Sequence, residues 1–199
     1  MTIAGVVLAA GLSDRMESGL KQLLAFGDRT MVGHVVAIAE GTSLDPIVVV
    51  TGHRAKEVEF AVALQRARFA RNPDYAAGNL SSLRAGLAAV GDVDAAMILL
   101  ADQPELDPDD IETLVTAWEE WRPFAVVATY EGIVGHPWVL SASAIASAED
   151  LKGTKALWNW LTDTHADEVL EVDLARSRPG DVNTVGDYRA ALRALDLGG

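Results

Sequence analysis

The chain has 199 residues, half of them hydrophobic, which is enough to bury the core of one sizeable α/β domain. It contains no cysteine, and this excludes disulfides, thiolate metal sites and cysteine nucleophiles. The formal net charge of −13 disfavours nucleic acids and anionic membranes as partners and repels anionic substrates at long range. A phosphate site in this chain must therefore be built from local cations, backbone N–H groups and a divalent metal.

The sequence shows no signal-like N-terminal pattern and no apolar stretch of transmembrane length. We therefore expect a cytoplasmic protein. No run rich in Pro, Gly or Ser divides the chain, and no internal repeat is evident. These features predict a single domain over residues 1–199, while the oligomeric state stays open.

The first segment of the chain combines an apolar run with small residues and cations. Residues 3–8 are apolar and partly β-branched, which predicts a strand buried on both faces, as in a parallel sheet. Residues 9–11 carry almost no side chain, so the backbone there can approach a flat or charged ligand. Ser13, Arg15 and Lys21 then add a hydroxyl and two positive charges. A strand end, small residues and cations together suit a nucleoside triphosphate.

Strand-like and helix-like segments alternate along the rest of the chain. Further strands are predicted at residues 47–51, 68–70, 95–100, 124–130, 135–140 and 168–172. Helices are predicted at residues 30–40, 55–67, 107–121 and 144–148. Three more helices are predicted by their starts: one with Asn79 as N-cap, one after Thr154, and one at Thr184, which forms a capping box with Asp187. This order predicts an α/β three-layer sandwich with a mostly parallel sheet.

Asp102 is a candidate metal ligand. It follows the apolar residues 95–100 in the turn Ala101-Asp102-Gln103-Pro104. A carboxylate at the tip of a buried parallel strand costs free energy unless it meets a cation. Mg²⁺ would satisfy it, since one or two carboxylates plus phosphates and water usually hold this ion. The alternative is a structural turn without a ligand.

A second candidate element is the start of the helix after Gly78. Asn79 is the predicted cap, and Ser81 and Ser82 fall in the first turn. A helix start offers N–H groups and a positive dipole end to an anion. The alternative is a well-capped helix that binds nothing.

The first segment reads Leu8-Ala9-Ala10-Gly11-Leu12-Ser13-Asp14-Arg15-Met16 and is followed by Lys21. It resembles the signature L-A-(A/G)-G-x-S-x-R-M-G-x-x-K of the MobA-like nucleotidyltransferases of molybdenum-cofactor biosynthesis. Four other segments resemble further elements of this family, in the family's order: residues 78–87, 101–104, 135–137 and 181–188. In addition, residues 152–155 resemble the family's acceptor loop. The resemblance implies a Rossmann-like fold of the nucleotide-diphospho-sugar transferase type. Two positions depart from the pattern: Glu17 replaces glycine and Asn183 replaces aspartate.

The reaction that this resemblance implies is nucleotidyl transfer. A phosphate oxygen of an acceptor such as molybdopterin attacks the α-phosphorus of a nucleoside triphosphate, and pyrophosphate leaves. Ala10 gives the A-A-G form of the turn, which accompanies CTP in the family. The implied roles are: Arg15 and Lys21 for the triphosphate, Asp102 and Asn183 for Mg²⁺, Leu8, Ala9, Ala10, Gly11, Asn72 and Ser82 for the nucleotide, and His136 and Lys155 for the acceptor.

Two other functions stay open at this point. Some actinobacterial members of the superfamily are described as oxidoreductases that reduce a heteroaromatic, nicotine-blue-type dye with NAD(P)H. This chain has no G-x-G-x-x-G pattern to support a dinucleotide site. The other alternative is a degenerate transferase that binds a nucleotide or cofactor without turnover, in keeping with Glu17 and Asn183.

Overall fold

The computed structural model of the protein describes residues 1–12, 19–149, 151–152 and 156–197. The strands in these ranges are β1 (Ile3–Leu8), β2 (Ala25–Phe26), β3 (Arg29–Thr30), β4 (Ile47–Thr51), β5 (Arg68–Arg71), β6 (Ala95–Leu100), β7 (Ala125–Tyr130), β8 (Ile133–Ser141) and β9 (Val169–Asp173). The α-helices are α1 (Met31–Glu40), α2 (Ala55–Ala61), α3 (Asn79–Val90), α4 (Pro108–Trp121), α5 (Ala142–Ala148), α6 (Ala156–Asn159) and α7 (Val185–Leu197). Within the described part of the chain, no helix has both the length and the apolar character needed to cross a membrane.

Seven strands form one sheet in the order β5-β4-β1-β6-β8-β7-β9. The pairs β5–β4, β4–β1, β1–β6 and β7–β9 are parallel, and β8 runs antiparallel to both of its neighbours. The predicted mostly parallel sheet is therefore confirmed. Leu8 at the end of β1 pairs with Val50 of β4 and Leu100 of β6. The residues that follow these three strands consequently emerge together at the carboxyl edge of the sheet, where ligands bind in open α/β folds.

Helices cover both faces of the sheet. Val7 and Leu99 point to the face that packs with Val35 of α1 and Leu114 of α4. Neighbouring residues of the same strands point the other way, toward α3, α5 and Leu161. Because successive side chains of a strand face opposite sides, a strand buried on both faces must be apolar throughout. This explains the continuous apolar runs in the sequence and confirms the three-layer arrangement.

Gly86 of α3 allows this helix to lie directly on the sheet. A Cβ atom at position 86 would lie 2.4 Å from Cγ1 of Val6 and 2.9 Å from Cγ2 of Val50. We expect Gly86→Ala to lower the free energy of unfolding by about 1–3 kcal/mol, because the added methyl group overpacks the core. Denaturant unfolding measures this change. Gly186→Ala is the matched control, since that helical glycine has only an ordinary contact at 3.5 Å and alanine favours the helix. Equal stability of the two variants would contradict the close packing.

One predicted helix is too long. The helix predicted at residues 55–67 ends at Ala61, and Val62 is extended. The backbone N–H groups of Gln65, Arg66 and Ala67 each donate to Oε1 of Glu40, at 2.8 Å. These N–H groups therefore donate to a carboxylate that is distant in the sequence and do not extend the helix.

The start of α3 also differs from the prediction by one residue. Gly78 is its N-cap and Asn79 is the first helical residue. Gly78 has a φ of 104°, which glycine adopts without strain, and Ser81 Oγ donates to its carbonyl oxygen at 2.8 Å. The predicted capping box of α7 is present: the backbone N–H of Asp187 donates to Thr184 Oγ1, and that of Thr184 donates to Asp187 Oδ2.

Candidate active site

Three polar side chains meet at the carboxyl edge of the sheet. Asp102 lies in the turn after β6, Asn183 lies just before α7, and Lys21 begins a short 3-10 turn. The ammonium nitrogen Nζ of Lys21 is 2.5 Å from Oδ2 of Asp102 and 3.0 Å from Oδ1 of Asn183. The fold thus brings together three predicted site residues that lie up to 162 positions apart in the sequence.

The oxygen atoms of Asp102 and Asn183 converge on one cation. The side chains of Lys21 and Asp102 are 11% and 25% exposed, so their ion pair is partly withdrawn from water. One carboxylate oxygen and one amide oxygen are hard donors of the kind that Mg²⁺ accepts. Among the described residues, no group of three or more His, Cys, Asp and Glu side chains could hold a metal ion. Mg²⁺ usually keeps phosphate oxygens and water beside one or two protein ligands, and these two side chains fit that role.

The segment that carries Asn183 is tied to the Asp102 turn. The backbone N–H of Val182 donates to the carbonyl oxygen of Asp102 at 2.8 Å, and Nε2 of Gln103 donates to Oδ1 of Asp181 at 2.7 Å. Val182 is buried in a small cluster with Phe26, Met31 and Ala191. The segment 181–183 therefore has both polar and apolar anchors.

The turn after β1 packs closely against the loop after β4, and its predicted approach to a ligand stays a prediction. Leu8 is half-buried, Ala9 and Ala10 are buried, and Gly11 is exposed. A Cβ atom at Gly52 would lie 2.8 Å from Cβ of Ala10, so the methyl group of Ala10 packs directly on the loop after β4. The carbonyl oxygen of Gly11 accepts a hydrogen bond from Gln22 Nε2 at 3.2 Å. This turn lies beside the Asp102 turn because Leu8 and Leu100 are paired in the sheet.

Asn72 and Ser82 are buried neighbours. Nδ2 of Asn72 donates to Oγ of Ser82 at 3.1 Å and to Oγ of Ser81 at 2.9 Å. Its Oδ1 accepts from the backbone N–H of Asp74 at 3.0 Å. Both amide hydrogens of Asn72 can thereby be satisfied within the protein. The structure brings the two residues together, and their contact with a nucleotide stays a prediction.

His136 lies on β8, with its ring stacked on Trp138 at a centroid distance of 4.1 Å. Burial lowers the pKa of His136 to about 4, while the charge of Asp181 raises this pKa and that of Arg178 lowers it further. The carbonyl oxygen of His136 accepts a hydrogen bond from the Tyr130 hydroxyl at 2.7 Å. His136 is therefore neutral near pH 7, so it could contact an acceptor as a hydrogen-bonding group but not as a cation.

Other predicted site residues lie outside the described ranges, and some structural partners were not predicted. Arg15 and Lys155 fall in residues for which the structure gives no description. The sequence alone does not indicate the contacts of Gln22 and Tyr130 or the pairing of Gln103 with Asp181. Gln103 was visible as part of the turn at 101–104, but its partner lies 78 positions away. Only the three-dimensional structure could identify that contact.

Residues 5–169 match the family model of the MobA-like NTP transferase domain, and the chain belongs to this family. Its fold closely resembles that of Rv0371c from Mycobacterium tuberculosis H37Rv, with a TM-score of 0.85 and 30% identity over 97% of this chain and 98% of that one. A structure of Rv0371c in complex with manganese has a TM-score of 0.80 and 29% identity, over 97% of this chain and 98% of that one.

The chain is also similar in sequence to proteins of two different activities. The nicotine blue oxidoreductase of Paenarthrobacter nicotinovorans is 30% identical over 155 residues, which cover 73% of this chain and 75% of that protein. The bifunctional protein GlmU of Burkholderia vietnamiensis is 30% identical over 132 residues, which cover 66% of this chain and 29% of that protein. The match thus spans less than a third of the length of GlmU.

Proposed function

We propose that this protein is a Mg²⁺-dependent nucleotidyltransferase that transfers CMP from CTP to a phosphorylated acceptor such as molybdopterin, with release of pyrophosphate. The convergence of the Asp102 and Asn183 oxygens on one cation, at the carboxyl edge of the sheet, carries this proposal. Membership in the MobA-like family supports nucleotidyl transfer as the reaction class. The manganese complex of Rv0371c supports a divalent metal in a close structural relative.

The reaction requires alignment and charge neutralisation more than proton transfer. The attacking phosphate oxygen is already anionic near pH 7, so no catalytic base is needed. Bound Mg²⁺ would neutralise the α-phosphate and the leaving pyrophosphate. Asp102 and Asn183 would hold it, while Lys21 and Arg15 would neutralise the triphosphate. Preorganised positive charge of this kind is a large contribution to phosphoryl-transfer catalysis.

The choice of CTP as donor rests on the turn after β1. Ala10 gives the A-A-G sequence that accompanies CTP in the family, and its methyl group is buried against Gly52. The backbone of Ala9, Ala10 and Gly11 would face the base and ribose, with Asn72 and Ser82 beside them. The acceptor would lie toward His136 and Lys155.

A second candidate is a NAD(P)H-dependent reduction of a heteroaromatic dye. The observation that favours it is the 30% identity with a nicotine blue oxidoreductase, over about three quarters of both chains. The two functions differ in the ligand that stabilises the folded protein: one predicts a triphosphate with metal, the other a nicotinamide dinucleotide.

Thermal unfolding distinguishes the two candidates. We expect CTP with Mg²⁺ to raise the Tm by several degrees, because a ligand at 100 times its Kd adds about 2.7 kcal/mol to the free energy of unfolding. GTP, ATP and NADPH, each with and without Mg²⁺, are the comparison ligands. A shift with CTP that depends on Mg²⁺ supports the proposal and leads to a pyrophosphate-release assay with molybdopterin. A shift with NADPH alone favours the oxidoreductase, and no shift with any triphosphate contradicts the nucleotidyltransferase.

A further inference from the structure

The Gln103 side chain makes a contact that the proposed reaction does not use directly. Gln103 follows Asp102 and is only 3% exposed. Its Nε2 donates to Oδ1 of Asp181 at 2.7 Å, and Asp181 is only partly buried. A hydrogen bond to a carboxylate is stronger than one between neutral groups. The contact therefore fixes Asp181 against the turn that carries Asp102.

Asn183 lies between two sets of anchors. On its N-terminal side are the Gln103–Asp181 bond and the bond from the Val182 N–H to the Asp102 carbonyl oxygen, at 2.8 Å. On its C-terminal side, the Asp187 carboxylate accepts from the backbone N–H groups of Asn183 and Thr184, at 3.0 and 2.8 Å. Only Val182 separates Asp181 from Asn183 in the chain, so a displacement of Asp181 transfers almost directly to Asn183.

The neutral side chain of Asn183 makes this anchoring more important. A carboxylate would be attracted to a bound cation by its own charge, whereas an amide oxygen brings only a dipole. Its position therefore depends more on the surrounding hydrogen bonds. Such outer partners of a metal ligand commonly contribute about 10–100-fold to metal affinity.

We infer that Gln103 is a positioning residue: its bond to Asp181 holds residues 181–183 against the metal-binding turn, so that the Asn183 amide oxygen converges with Asp102. The anchoring itself follows from the structure alone. Its effect on metal binding rests on the proposed function.

A single and a double substitution test the contact. Gln103→Glu places two carboxylates against each other at a contact of 2.7 Å in the native protein. The double variant Gln103→Glu with Asp181→Asn reverses donor and acceptor and keeps the total charge of the native protein. Glu112→Ala is the matched control. It removes hydrogen bonds of 2.6 and 2.7 Å from Ser43, in the loop before β4 at the opposite edge of the sheet.

The first measurement is amide hydrogen exchange at Val182, which is independent of any metal. We expect Gln103→Glu to lower its protection by about tenfold or more, as expected for loss of a hydrogen bond to a charged group. The double variant should restore the protection, and Glu112→Ala should not change it. Unaltered protection in Gln103→Glu, or no recovery in the double variant, would overturn the anchoring role.

The second measurement is Mn²⁺ affinity, by electron paramagnetic resonance of the free ion, in the presence of CTP. We expect Gln103→Glu to weaken Mn²⁺ binding by about tenfold or more, and the double variant to bind Mn²⁺ like the native protein. If the native protein binds no Mn²⁺, the proposed function is contradicted, and the effect of Gln103 on metal binding is contradicted with it. This holds whatever the hydrogen-exchange data show. If the native protein binds Mn²⁺ and Gln103→Glu binds it equally tightly, the positioning role alone is contradicted.

Discussion

Replacing Asp102 with asparagine is expected to lower Mg²⁺-dependent turnover by roughly 10²–10³-fold, the cost of losing one preorganised charge-stabilising group. The substitution keeps the size of the side chain and removes its negative charge. Asp102 supplies the carboxylate of the oxygen pair that meets the Lys21 ammonium, while Asn183 supplies a neutral amide. A metal between two amide oxygens would lose most of its electrostatic attraction to the protein.

Pyrophosphate release as a function of Mg²⁺ concentration measures this effect. Glu112→Gln is the control, because it makes the same change of charge in α4, where Glu112 contacts Ser43 instead of the site. We expect native-like turnover from the control and a much weaker Mg²⁺ dependence from Asp102→Asn. If Asp102→Asn retained native turnover at low Mg²⁺, Asp102 would not be a metal ligand in the reaction.

The sheet was predictable because its central strands are buried on both faces. Such strands require continuous apolar residues, and the runs at residues 47–51 and 95–100 coincide with β4 and β6. The site was partly predictable for a related reason. Polar or small residues directly after buried strands come together at one edge of a parallel sheet, and this places the turns after Leu8 and Leu100 beside each other.

The parts that were not predictable depend on contacts between distant residues. The end of α2 is set by Glu40, whose carboxylate accepts three backbone N–H groups from residues 65–67. The pairing of Gln103 with Asp181 likewise has no local signal. The lowered pKa of His136 arises from burial, which the residue type alone does not reveal. Local propensity thus predicted the elements, and tertiary contacts decided their ends and the electrostatics of the site.

Replacing Lys21 with methionine is expected to change turnover and metal binding in opposite directions. The Lys21 ammonium lies 2.5 Å from Asp102 Oδ2 and 3.0 Å from Asn183 Oδ1, the two atoms proposed to bind the metal. A divalent ion and an ammonium group repel each other by about 4 kcal/mol per unit charge at 4 Å, at an effective dielectric constant of 20. In the protein without nucleotide, Lys21 would therefore compete with a metal at this position. Triphosphate oxygens would offer the ammonium an alternative anionic partner.

We expect Lys21→Met to bind Mn²⁺ more tightly than the native protein in the absence of nucleotide, and to lose roughly 10²–10³-fold in turnover, because a charge that neutralises the triphosphate is missing. Electron paramagnetic resonance of free Mn²⁺ and pyrophosphate release measure the two effects. Lys56→Met, on the exposed face of α2, is the control for the loss of one positive charge. Equal or weaker Mn²⁺ binding by Lys21→Met would show that the ammonium does not occupy the metal position. A variant that was merely destabilised would lose metal binding and turnover together, so opposite changes identify Lys21 as both the competitor of the metal and a ligand of the triphosphate.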